Sequence, residues 1–245
     1  MGTNNVNKTG SGTRINKYLA SCGVCSRRDA DKLIEAGAVT INGKIAGFGD
    51  VITGKVRVCV NGKAVVPADK KVVLAYYKPV GITCTEKDAH AEKIVTNEIK
   101  YPVRVTYAGR LDRESEGLLI MTNDGDLIHA MMQGAAQHEK EYVVKVNKEI
   151  SDDFLNRMSL GVFLPELGKT TRECEVSRIG KYTFRIVLTQ GLNRQIRRMC
   201  KELGYRVETL KRVRVLNIEL EKLHPGQYRE ISGEELTKLY AICGM

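Results

Sequence analysis

The sequence predicts an α+β protein of two parts, a small helix-led unit followed by a larger one with a largely antiparallel mixed sheet and flanking helices. Three observations carry this. Alternating apolar strands and short apolar-periodic helices are interleaved along the 245 residues without regular βαβ spacing. The polar stretch Pro67-Ala68-Asp69-Lys70-Lys71 separates two differently built segments and reads as a linker. Turn and cap signals mark element ends in both segments.

Residues 1–12 are polar, end in Gly10-Ser11-Gly12, and are expected to form a flexible tail. Residues 13–66 read as a compact ααβ unit. Ile15, Tyr18, Leu19 and Cys22 have helical spacing, and Gly23 is placed to stop that helix. Ser26-Arg27-Arg28-Asp29 is a capping-box pattern for a second helix with Ala30, Leu33 and Ile34 on its apolar face and Gly37 as its stop. Val39-Thr40-Ile41 before Asn42-Gly43 signals a hairpin, and Val56–Val60 alternates like a strand. In residues 72–245 strands are expected over Tyr142–Val146, Tyr182–Leu188 and Val213–Leu220. Helices are expected from Leu127 to Met132 after Asn123-Asp124-Gly125, and from Asn193 to Leu203 before Gly204. A last one opens at the capping box Ser232-Gly233-Glu234-Glu235.

Composition narrows the function. Thirty-nine Lys and Arg against 29 Asp and Glu leave a formal charge of +10, which favours a polyanionic partner, most often nucleic acid. No apolar stretch is long enough to span a membrane and no apolar signal core opens the chain, so a cytoplasmic protein is expected. The seven cysteines then read as reduced thiols. Cys22-x-x-Cys25 has metal spacing but no second pair, so no metal is expected. Neither Gly-rich phosphate-loop pattern occurs, and His90, His129, His138 and His224 are scattered, reading as surface or capping residues.

Three segments concentrate chemistry. Gly109-Arg110-Leu111-Asp112-Arg113-Glu114-Ser115-Glu116-Gly117 is a charge-dense loop between two strands, a common place for working groups. From the residues alone, Arg110 and Asp112 could be a surface ion pair, and Asp112, Glu114 and Glu116 could hold a glycosidase pair, as in a hydrolase using Asp112 and Glu116, or a metal site; no histidine or second acid cluster accompanies them as metal ligation would want. Gln190-Gly191-Leu192-Asn193-Arg194-Gln195-Ile196-Arg197-Arg198-Met199-Cys200 pairs an apolar stripe with crowded cations, which repel unless an anion offsets them. His138-Glu139-Lys140-Glu141-Tyr142 enters a strand, and alone says little. In residues 13–66 nine cations face four acids.

The small unit resembles the S4 RNA-binding module, in the order Arg14-Ile15-Asn16-Lys17-Tyr18-Leu19, Gly23-Val24-Cys25-Ser26-Arg27-Arg28, and Val39-Thr40-Ile41-Asn42-Gly43. The rest adds Tyr77-Lys78-Pro79-Val80-Gly81, Gly109-Arg110-Leu111-Asp112, Lys140-Glu141-Tyr142 and Asn193-Arg194-Gln195-Ile196-Arg197-Arg198-Met199. Together these resemble the RsuA-type family of pseudouridine synthases, and most the RluF subgroup acting on 23S ribosomal RNA. Tyr77 departs from the asparagine usual before Lys-Pro, which bears on packing. The resemblance implies an isomerase that needs no cofactor, working as a monomer on 23S rRNA, with tRNA an open second substrate. It implies Asp112 as the catalytic carboxylate, attacking sugar or base or moving a proton. Arg197 would be its countercharge, Tyr142 would stack on the target base, and Arg110 would enter the RNA helix the uridine leaves. Arg14, Lys17, Arg27, Arg28, Lys32, Arg194 and Arg198 would hold RNA. A binding protein without catalysis would explain the charge but not the four site identities.

Overall fold

The computed structural model describes residues 12–85, 93–133 and 137–245. The expected tail lies outside these residues except for Gly12, and so does His90. The chain divides into two compact units, the first running to Lys71 and including Pro102–Arg104, the second made of Val72–Tyr101 and Val105–Met245.

The first unit runs β1 (Thr13–Arg14), α1 (Ile15–Ser21), α2 (Arg27–Glu35), β2 (Val39–Ile41), β3 (Lys44–Ile45), β4 (Val51–Ile52), β5 (Val58–Val60) and β6 (Lys63–Val65). Helix α2 starts where expected because the Ser26 hydroxyl accepts the Asp29 N–H at 3.1 Å and donates to its carboxylate at 3.0 Å. Gly23 and Gly37, at φ +72° and +67°, end the two helices. Asn42-Gly43 closes the hairpin β2–β3 with both residues at positive φ, as a type I′ turn requires. Asn61-Gly62 repeats the device and adds β6, which the sequence reading did not include; β5 also begins two residues later than expected. The sheet order is β3-β2-β5-β6, with β1 and β4 paired apart. Ile15, Leu19, Ala30, Ile34, Val39 and Val58 form the core.

The second unit follows as β7 (Val73–Lys78), α3 (Val95–Glu98), β8 (Thr106–Ala108), β9 (Glu116–Thr122), α4 (Gly125–Met132), β10 (Lys140–Val146), α5 (Asp152–Ser159), β11 (Phe163–Leu164) and β12 (Lys169–Thr170). It continues with β13 (Glu175–Gly180), β14 (Thr183–Leu188), α6 (Gln195–Glu202), β15 (Val207–Val215), β16 (Ile218–Glu219), β17 (Tyr228–Glu230) and α7 (Gly233–Ile242). Its main sheet has the order β13-β14-β10-β15-β9-β7-β17, with β8 on β9 and β16 on β15. The pairings are antiparallel except β15 with β9, where Lys211 faces Glu116 and Arg212 faces Gly117. That seam joins two cores, one around Ala75, Leu118, Ile120 and Leu239, the other around Val144, Phe184, Ile186 and Met199.

Four local expectations need correction. The single strand over Val213–Leu220 is the end of β15, a turn with Leu216 at φ +55°, and β16. Helix α6 begins at Gln195, because Arg194 takes φ +50° ahead of it. Ser232 makes no side-chain cap on α7; Glu235 instead receives two hydrogen bonds from Arg229 at 2.6 and 2.7 Å, a stronger charged fork. His138 is buried, and its Nδ1 donates to the Met131 carbonyl at 3.1 Å, whereas His129 and His224 are exposed.

Candidate active site

The loop before β9 is held by buried cations. Lys78, the last residue of β7, is fully buried, and its Nζ donates to the carbonyls of Pro79 at 2.8 Å and Ser115 at 2.7 Å. Arg212 of β15 is also buried; its Nε donates to the Leu118 carbonyl at 2.7 Å and its Nη1 to that of Arg110 at 3.4 Å. Gly117 allows this approach: at φ +107°, a Cβ there would meet the Arg212 carbonyl oxygen at 2.2 Å. The Ser115 N–H donates to the Asp112 carbonyl at 3.1 Å and the Gly81 N–H to the Arg113 carbonyl at 2.8 Å, so Asp112 opens a braced turn. Its side chain keeps about a third of its surface (32%) open to solvent, enough to meet a ligand.

Helix α6 brings guanidinium groups to this loop. Ile196, Met199 and Cys200 sink into the core and leave the cations on the opposite side. Arg194 reaches Glu114 at 2.7 Å and Asp112 at 3.9 Å. Arg197 Nη2 donates to the Glu114 carbonyl at 3.0 Å and the Ser115 hydroxyl at 3.3 Å. The guanidinium within ion-pair distance of Asp112 is therefore that of Arg194, whereas Arg197, expected there, anchors the loop backbone. Arg198 turns elsewhere, paired with Glu166 and donating to the Asn193 carbonyl at 3.0 Å.

The cleft these elements enclose has a volume of about 660 Å³. It brings Arg110, Asp112, Tyr142, Arg194 and Arg197 together, with Lys140, His138 and Arg212 in its wall. Tyr142, half buried in β10, lies across from Arg212 in one pairing and Ile186 in the other. Arg14, Lys17, Arg27, Arg28 and Lys32 belong to the first unit and Arg198 is not in the lining, so the cleft gathers part of the predicted set. The sequence marked Lys78 only as part of the Tyr77–Gly81 segment and Arg212 only as one charge of a basic patch, and pointed to neither as a brace for the loop. The available signals were a lysine ending the apolar run Val72–Tyr77 and an arginine two residues after inward Leu210 on β15.

The charges are tuned by this packing. The hydrogen bond from Arg194 is the chief reason that Glu114 sits below the usual carboxylate range, and it raises Arg194 in turn. Burial, then the like charge of Arg194, lowers Arg197. Burial brings Lys78 down to about 8. Arg197 Nε, Arg212 Nη2 and Gln190 Nε2 are buried donors of cleft-lining residues without a hydrogen-bond partner. The result is a braced carboxylate under a cationic rim, suited to admitting a polyanion and working on a planar group beside Tyr142.

Comparison with known proteins identifies the family. The RNA pseudouridylate synthase family model matches residues 72–202, and the S4 domain model matches residues 13–47. A dual-specificity RNA pseudouridine synthase RluF of Salmonella typhi is 44% identical over 236 residues, which are 96% of this chain and 81% of that one. The ribosomal large subunit pseudouridine synthase B of Bacillus subtilis is 34% identical over 236 residues, 94% of this chain and 96% of its own. A crystal structure of a pseudouridylate synthase superposes with a TM-score of 0.69 at 25% identity, covering 93% of this chain and 99% of that one.

Proposed function

The chain belongs to the RNA pseudouridylate synthase family, and we propose that it isomerises a specific uridine of 23S ribosomal RNA to pseudouridine with Asp112 as the catalytic carboxylate. The observation that carries the assignment is the convergence on one cleft of Arg110 and Asp112 from the loop before β9, Tyr142 from β10 and Arg197 from α6. The reaction breaks the N1–C1′ bond, turns the base and joins C5 to C1′; the proton leaving C5 is balanced by the one N1 acquires. No electrons are exchanged, so the step calls for an acid–base or nucleophilic group, which Asp112 supplies. Its loop is braced by Lys78 and Arg212, so the carboxylate is positioned before substrate arrives. Tyr142 stacks on the extruded base, Arg110 fills the place it leaves, Arg194 supplies the countercharge beside Asp112, and Arg197 holds the loop that carries it.

The first unit supplies affinity through Arg14, Lys17, Arg27, Arg28 and Lys32, assisted by Arg194, just ahead of α6, and Arg198 within it. The words "ribosomal large subunit" in one relative's name support rRNA as substrate, and "dual-specificity" in another's supports a second RNA, for which tRNA is the candidate. The reading includes a monomer, since one chain furnishes the whole cleft, and a cytoplasmic setting, which its seven free cysteines fit. Among the described residues no helix is long and apolar enough to cross a membrane. The test is a pseudouridine map of ribosomal and transfer RNA from cells with and without the gene. The reading requires at least one 23S position to lose its signal in the deletion strain; an unchanged map rejects it.

A further inference from the structure

We propose that Phe48 is a stacking platform for an unpaired RNA base, giving the first unit a base contact in addition to its phosphate contacts. This rests on the reading that the chain acts on RNA. Phe48 and Tyr18 are the aromatic residues of that unit, and they differ sharply: Tyr18 packs against the core, while Phe48 leaves 58% of its surface in solvent. An exposed phenylalanine on a floppy loop would mean little. Here the loop is tied on both sides. The Ala46 N–H donates to the Val39 carbonyl at 2.9 Å, and the Ile15 N–H to the Asp50 carbonyl at 2.9 Å. Between them the Gly47 N–H donates to the Asp50 carboxylate at 2.9 Å and the Asp50 N–H to the Gly47 carbonyl at 3.1 Å. Residues 47–50 thus form a closed turn with Phe48 on its crest, so little ordering entropy is lost when a partner meets the ring.

The surroundings choose the partner. Arg14 pairs with Val51 across β1–β4, and Lys44 opens the strand that leads into the turn. Both are exposed. The nearby acid, Asp50, is engaged by the Gly47 N–H. Exposed Ile45 and Val51 extend the apolar surface around the turn. An exposed ring on a turn whose neighbouring strands carry two exposed cations matches a nucleobase on its phosphate backbone, and aromatic stacking tolerates any base. An apolar protein surface would leave those cations facing no counter-charge.

The experiment uses the full chain and transcripts made in vitro, large-subunit rRNA in one arm and tRNA in the other. Phe48→Ala and Phe48→Leu should each weaken binding by about 5- to 100-fold to whichever transcript supplies the base. The salt dependence of log K should keep the wild-type slope, because no phosphate contact is lost. Phe48→Tyr and Phe48→Trp should stay within about twofold of wild type. The chain has no tryptophan, so Phe48→Trp also reports locally, and its emission should be strongly quenched on RNA binding. Wild-type affinity in Phe48→Leu would point to a merely apolar contact and overturn the proposal. So would a Phe48→Trp protein that binds RNA normally with unchanged emission, a result that leaves the RNA reading intact. Absence of RNA binding by the wild-type chain would reject both.

Discussion

Lys78 shows how a residue's role is set by where it is buried. The ammonium donates to two carbonyls, one of them in the loop that carries Asp112, yet burial holds it down to about 8. The unfolded chain keeps that proton to higher pH, so the Lys78 contribution to stability rises with pH between about 8 and 10. Three thiols act oppositely: half-buried Cys22 and Cys174, pushed up by desolvation to about 11, and buried Cys200, pushed up to about 12, lose stability as pH rises past their unfolded values. The informative quantity is therefore the wild type minus Lys78→Met. From pH 7.5 to 9.5 that difference should move in favour of wild type by on the order of 2 kcal/mol in denaturant melts; a pH-independent difference would contradict the assignment. None of this was readable from the sequence, where Lys78 was one letter of a recognisable segment. Asp112 was readable only through resemblance, since Arg-x-Asp in a loop is equally a surface ion pair. The exchange of parts between Arg194 and Arg197 depends on Arg194 taking a left-handed backbone, which residue spacing does not encode.

At the scale of elements, the local signals were legible and the non-local ones were not. Ser26 and the Asn42-Gly43 turn worked as read because their partners lie within four residues. Ser232 makes no side-chain cap, and the Glu235 carboxylate that a capping box would turn back toward it is held by Arg229; the β15–β16 turn was hidden inside an apolar run by a leucine at positive φ. The parallel β9–β15 seam joins segments about a hundred residues apart, and no local pattern announces it. Asp124 tests the capping logic. Its carboxylate accepts the Asp126 and Leu127 N–H groups at the start of α4 and the Tyr240 hydroxyl at 2.9 Å. Asp124→Ala should destabilise the protein by about 1–3 kcal/mol, with Asp124→Asn losing less than half of that. Equal losses for the two would mean that charge rather than capping geometry matters.

Over the whole molecule, the basic balance and the two-unit division account for a protein that grips RNA broadly and works at one cleft. RNA affinity should fall steeply with salt as phosphate neutralisation releases counterions. The fragment 72–245 should fold, bind RNA more weakly with a shallower salt dependence, and choose its uridine less well. If it matches the full chain in both affinity and selectivity, the first unit has no part in targeting. The central claim, that Asp112 performs the isomerisation, is tested most directly by Asp112→Asn on unmodified 23S transcript. The substitution keeps the side chain's shape and removes its charge, and RNA binding should persist or tighten slightly. Chemical tagging with primer extension should find pseudouridine only at background in the folded, RNA-bound variant; formation at close to the wild-type rate would contradict the account.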